Sequence, residues 1–429
     1  MTFDRYRFLI FILLGTAYLL VFFHRLAPAV VAVDMMNDLK TGGALMGLLA
    51  SAYFYPYGLM QIPAGLLADS WGPRRSIAAF FLLGAAGSIA LGLASTVGQA
   101  ITARVLVGLG AAMVFVPTLK ILTHWFERHR FSRMSGFLMS LGGLGAYTAS
   151  TPLALLSDAL TWRGSMILIG GVTFALSALI WLVVRDTPES AGFPPVGACP
   201  AGEEDTRAIG ALEGMWMVLK SGHFWPTALC SFFGSMVLLT FTGLWGGPFL
   251  MHVYGMSRTQ AGTVLSTMAV GIITGAPFMS WLSHRVFRSR KKVLMLSHAA
   301  GCCVFAPMAF FTGGFSKAEL FVWCFLFNFS LSSLVVVGYA AMKDSFPLRI
   351  SGTATGVLNI FPFAGAALGQ PLAGWFLDAA GPTGGPYGVT AYSSLFQIGL
   401  LSLFLAFLAS TFVRETYPAD TCRMPDQHK

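Results

Sequence analysis

The sequence predicts an all-α membrane protein of twelve transmembrane helices, arranged as two pseudo-symmetric six-helix bundles. Three observations lead there. Hydrophobic residues make up 55% of the 429-residue chain and charged residues 10%, with a mean hydropathy of +0.70. Soluble domains carry about 25% charged residues. Apolar runs of about 20 residues, long enough to cross a bilayer core, recur near 7–33, 43–67, 76–95, 98–125, 134–157, 164–184, 223–253, 259–283, 292–312, 318–342, 351–377 and 389–413. The second six runs also echo the first. "RMSG" (133–136) follows span 4, and "RISG" (349–352) follows span 10.

The predicted units are a first bundle over 1–184, a linker over 185–222, a second bundle over 223–413 and a tail over 414–429. The linker is rich in Pro, Gly and acidic residues, a composition that favours flexible chain. The first run is too long for a secretory signal and has no cleavage site behind a short apolar core, so it reads as span 1.

Charge placement orients the bundle. Of the 27 Lys and Arg residues, twenty fall in tails and loops on the side of the termini, and only Lys40, Arg163, Arg258 and Lys317 on the other. The positive-inside bias therefore predicts cytoplasmic termini in a plasma membrane, the inner membrane if the source is a bacterium. The formal charge of +9 is dispersed through these loops, which argues against a nucleic-acid partner. Cys199, Cys230, Cys302, Cys303, Cys324 and Cys422 lack metal-ligand spacing and read as packing residues. No phosphate-cradling loop or nucleophile constellation stands out, so neither an enzyme nor a cofactor is expected.

Three cations remain inside the spans: Arg25, Arg104 and Lys120. A charge at that depth costs at least ~2.5–3.5 kcal/mol, so each needs a compensating role. Arg25 lies about 27 Å along the helix from Arg7, past the midplane. One role is structural, paired with carbonyls or with the rim acid Asp34. The other is a fixed positive charge facing a watery cleft. Lys120, about two turns inside Arg128, is either a snorkelling side chain or a second cation of that cleft. No Asp or Glu lies well inside a span, so the cleft is expected to be electropositive and to bind a small organic anion. His24 is the titratable neighbour of Arg25 and a candidate proton switch, with Arg104 the second candidate for proton coupling. Tyr53, Tyr57 and Gln61 share one face of span 2. Asn359, Phe363 and Gln370 share one face of span 11. Tyr53, Tyr57, Tyr147, Thr242, Trp245, Asn328 and Asn359 complete the candidate wall, although each also suits interhelical packing.

The loop "GLLADSWGPRRS" (65–76) carries Asp69, Arg74 and Arg75; its counterpart "SWLSHRVFRSRKK" (280–292) carries Arg285. Asp69 suits a gate, by pairing with a cation or capping a helix end of the opposite half. Arg74 and Arg75 suit the anionic headgroups of membrane lipids. His284 stands where the second loop would carry its Asp, which predicts a weaker latch there.

Gly65, Asp69, Gly72, Pro73, Arg74 and Arg75 resemble the loop 2–3 signature of the major facilitator superfamily. Arg104, Gly108 and Gly110 are similar to its span-4 motif, and Trp162-Arg163 before span 6 also fits. The resemblance covers nearly the whole chain and implies alternating access around a central cleft lined by spans 1, 4, 7 and 10. "VPTLKILTHWF" (116–126), with Lys120 four residues before His124, is similar to span 4 of the organophosphate/phosphate antiporters. Arg25 falls where that branch and the sugar-acid and anion/cation symporters keep a span-1 arginine. Two departures matter. Leu239 stands where the phosphate branch has its second arginine, six residues before Trp245, and Ala111 where the sugar-acid symporters have an acid. The expectation is a monomeric secondary transporter of a monocarboxylate or hydroxy/sugar acid, with proton symport. The alternatives are an organophosphate or inorganic anion exchanger, a multidrug or siderophore exporter, and a non-transporting ligand sensor.

Overall fold

The computed structural model describes residues 2–196, 211–381 and 386–417, and every regular element among them is helical. Cys199, Cys422 and the loop cations Arg207, Arg423 and Lys429 lie outside the described residues. Among the described residues ten helical stretches are, by length and composition, long and apolar enough to cross a membrane. Spans 2 and 5 complete the twelve, but in pieces. Span 2 is Gly43–Ser51, Phe54–Leu59 and Gln61–Ser70. Span 5 is Arg128–Thr148 plus the start of Thr151–Val183, which turns into span 6 at Thr161, a residue with φ of 63°.

Most interruptions share one cause. Proline has no N–H, so it leaves the carbonyl four residues earlier without its helical partner. Span 1 breaks at Ala27 before Pro28, and span 4 at Met113–Val114 before Pro117. Span 5 breaks before Pro152, and span 11 breaks at Asn359 before Pro362. In span 7 a π turn, Phe241–Trp245, precedes Pro248. Span 10 breaks at Ser332 without a nearby proline. Span 1 is longer than its apolar run suggests, because Pro28–Leu39 continues past the break to a left-handed Lys40. The expected linker also departs from its prediction: Ala211–Lys220 is helical and packs beside the start of span 11, with Val218 buried against Ala354 and Leu358.

The two bundles meet most tightly at the end remote from the termini. There span 2 lies on span 11, span 7 on span 1 and span 8 on span 5. Glycines make the approach possible. A Cβ at Gly47 would strike the backbone of Gln370, one at Gly374 the backbone of Gly43, and one at Gly247 the carbonyl of Ala29. Asp378 of span 11 then caps span 2 across the seam, accepting from Gly43 N at 2.7 Å and Ala44 N at 2.8 Å, while Tyr387 donates to the same carboxylate. A carboxylate at a helix N-terminus also opposes the helix dipole. Arg258 of span 8 bridges Asp34 at 2.5 Å and Asp158 at 2.8 Å, both in the first bundle. Near the termini end, by contrast, a Cβ at Gly65, Gly136, Gly352 or Gly356 would meet nothing within 4 Å.

Each bundle ties its last span to its third in the same way. Asp186, just after span 6, accepts from Arg74 N at 2.7 Å at the start of span 3. Glu415, just after span 12, accepts from Arg290 N at 2.9 Å and from the Ser289 hydroxyl at the start of span 9. Both acids sit in matching strings, Arg185-Asp186-Thr187 and Arg414-Glu415-Thr416.

Candidate substrate site

Arg25 sits just before the break in span 1, at the seam between the bundles, and is 7% exposed. Four rings surround its guanidinium. Phe22 lies 4.5 Å from it to the ring centroid, Tyr57 4.8 Å, Phe363 5.0 Å and Tyr53 5.9 Å. Phe363 alone comes from the second bundle; its ring meets that of Tyr57 edge-on at 4.6 Å. Among the described residues no carboxylate pairs with Arg25, and its Nε has no hydrogen-bond partner. Asp34, the rim acid considered as its partner, is held by Arg258 instead. The cation is therefore stabilised by ring quadrupoles, each worth about 0.5–2 kcal/mol.

Toward the termini a polar chain closes this cage across the seam. The Tyr339 hydroxyl donates to Asn359 Oδ1, Asn359 Nδ2 donates to Gln61 Oε1 at 2.6 Å, and Gln61 Nε2 donates to the Tyr57 carbonyl at 3.0 Å. Spans 10, 11 and 2 thus join at the Tyr57 backbone. Tyr53, Tyr57 and Asn359, expected in the wall from their helical faces, all fall here. Tyr18 and Phe22, whose rings meet edge-on at 5.2 Å, and Tyr339 were missed. For the first two a signal existed, because positions seven and three residues before Arg25 share its helical face.

The other candidates have different surroundings. Arg104, 2% exposed, donates to the His24 carbonyl at 2.8 Å and the Ala50 carbonyl at 3.3 Å. The His24 carbonyl is the one that Pro28 leaves unpaired, so Arg104 satisfies the break in span 1. Its guanidinium lies 5.2 Å from the Tyr53 ring centroid and its hydrogen bonds are spent on backbone. The His24 ring turns to span 6 and pairs with Thr173 Oγ1 at 3.3 Å. Lys120 is not an unpaired cation. Its Nζ lies 2.6 Å from Asp69 and 2.9 Å from the Ala68 carbonyl. Asp69 accordingly pairs within its own bundle, through span 4, and not across the seam. Trp245 donates to the Gln370 carbonyl at 3.1 Å, Asn328 to the Met268 carbonyl at 2.7 Å, and Thr242 to its own helix at 2.7 Å. Tyr147 is 41% exposed and is not among the rings around Arg25. At the termini end, Arg74 stacks 5.3 Å from Trp181, while Arg75 and Arg285 are exposed. His284 pairs with Arg290 at 3.1 Å.

The sequence profile described as Major Facilitator Superfamily matches residues 9–253 and 228–423. The chain belongs to that superfamily. It is a membrane transporter and not an enzyme. A probable hexose phosphate transport protein of Chlamydia trachomatis is 23% identical over 391 residues, covering 86% of this chain and 84% of the relative. A probable sulfoacetate transporter of Cupriavidus necator is 23% identical over 416 residues, covering 90% and 92%. A putative tartrate transporter of Agrobacterium vitis is 23% identical over 392 residues, covering 87% of each. A solved bacterial homologue of the human lysosomal transporter Spinster superposes with a TM-score of 0.75 at 19% identity, covering 94% of this chain and 97% of that one.

Proposed function

We propose that this transporter carries a small organic anion, a monocarboxylate or a hydroxy or sugar acid, and that Arg25 is its anchor. One observation carries the reading: a buried guanidinium at the seam of the two bundles has rings around it and no acidic mate. A carboxylate arriving there gains a charge-assisted, planar pairing that no residue of the site already supplies. The relatives named for hexose phosphate, sulfoacetate and tartrate all handle anions, which supports the sign of the cargo. A second fixed arginine is missing at Leu239, and Lys120 is engaged by Asp69. A single guanidinium suits a monoanion better than a phosphate dianion.

With the termini cytoplasmic, the tight far end is the periplasmic gate, and the molecule is closed to the outside. We assign coupling to proton symport, with His24 as the switch; its backbone carbonyl is the one Arg104 grips, so a change at the ring is felt through span 4. Proteoliposome uptake of glycolate, tartrate, sulfoacetate and glycerol 3-phosphate tests the reading. Arg25→Gln is expected to reduce uptake of the preferred anion at least a hundredfold, and full uptake by that variant defeats the assignment. Acidification of a vesicle-trapped dye during uptake, lost in His24→Gln, tests the coupling.

A further inference from the structure

Resting on the assignment of Arg25 as anchor, we infer that Phe363 takes the place of the anion in the empty carrier: its ring and the substrate compete for one guanidinium. The molecule holds Arg25 in a seam pinched on one side by the glycine contacts and the Asp378 cap, and bounded on the other by the Asn359–Gln61 bond. A bare cation so enclosed is penalised by desolvation. Three of its four rings, Phe22, Tyr53 and Tyr57, ride with Arg25 on the first bundle. Phe363, 5.0 Å from the guanidinium carbon, rides on the second. It stands in the half-helix just past the Asn359 break and packs on Phe54 and Tyr57 of span 2. Rocking one bundle on the other brings this ring to the cation or takes it away.

The consequence is kinetic. A carrier whose empty site keeps an unpaired charge recloses only with substrate aboard, and it exchanges anions one for one. A carrier with a ring to offer recloses empty and moves anion in one net direction. Phe363 therefore sets the ratio of net transport to exchange, and it does so at the expense of affinity, because the anion must displace it.

Phe363→Leu removes the quadrupole and keeps an apolar side chain; Phe363→Met is the second variant should the first not fold. Binding of glycolate, tartrate, sulfoacetate and glycerol 3-phosphate is measured by calorimetry on wild type, both variants and Arg25→Gln. Net uptake into empty vesicles is compared with exchange into preloaded ones. Binding by the Phe363 variants is expected to tighten about two- to thirty-fold, while net uptake relative to exchange falls about tenfold. Unchanged or weaker binding, or a fall in net uptake and exchange by the same factor, overturns the competition while leaving Arg25 as anchor. Binding retained in Arg25→Gln, or no binding of any of the four anions by wild type, overturns the anchor and this inference with it.

Discussion

The two bundles share a frame and differ in what they place at its centre. Each caps its third span with an acid from just beyond its last, Asp186 in the first and Glu415 in the second. Each interrupts most of the spans that border the seam, span 8 excepted. At the breaks, however, the first bundle offers Arg25 and Arg104, while the second offers Phe363, Asn359 and Gln370, all uncharged. The repeat preserves what builds a helix bundle. On the function proposed here, the chemistry that selects a cargo is carried by one copy.

If that division holds, damage to the charged break should be far worse than damage to a cap. The largest effect is expected at Arg104. Arg104→Leu strips hydrogen bonds from two buried carbonyls, and an orphaned buried polar group costs about 1–3 kcal/mol. The variant should lose several degrees of thermal stability in detergent and most of its transport. Stability equal to wild type would mean that water fills the gap, and the Pro28 break would not depend on the charge.

An intermediate effect is expected at Asp378, the carboxylate that crosses from one bundle to the other. Asp378→Asn keeps one acceptor but loses the charge facing the span 2 terminus, a term of about 0.3–1 kcal/mol, up to ~2 kcal/mol when partly buried. The far end should then open more often, read as faster thiol labelling in an Ala44→Cys background. An unchanged labelling rate would assign the closure to glycine packing alone.

The smallest effects belong to the paired caps. Asp186→Asn and Glu415→Gln each keep an acceptor and lose the charge at a helix start, so each should cost about 0.3–1 kcal/mol, by similar amounts if the repeat is functional at this level. Glu415 adds a pH signature. Partial burial works against its charged form, but hydrogen bonds from Ser289 and the amides of Tyr417, Arg290 and Thr416 hold the carboxyl below its usual range. A depressed folded-state value means that its contribution is present above the ordinary glutamate range and lost as pH falls through the lowered value. Melting curves for wild type and Glu415→Gln should converge as pH falls below the ordinary glutamate range; a constant gap would remove the ionised carboxylate from the capping role.

What could be read in advance follows from how local each signal was. Hydropathy reports burial in lipid one span at a time, so all twelve crossings were legible, and so was the lone charge of Arg25. The breaks were half legible: Pro28, Pro117 and Pro362 mark theirs, whereas Ser332 gives no covalent warning. Pairings between residues far apart in sequence were not legible. Nothing near Lys120 in sequence announces Asp69, and nothing near Arg25 announces Phe363. The ends of the bundles could have been matched, since Arg185-Asp186-Thr187 and Arg414-Glu415-Thr416 stand in the open.

The contact of Gly247 with the Ala29 carbonyl has a practical bearing. The site tolerates hydrogen and nothing larger, so a methyl group there acts as a wedge between spans 1 and 7. Gly247→Ala is therefore a simple handle for trapping the carrier in its opposite posture, where the route to Arg25 from the other side of the membrane would be laid open to view.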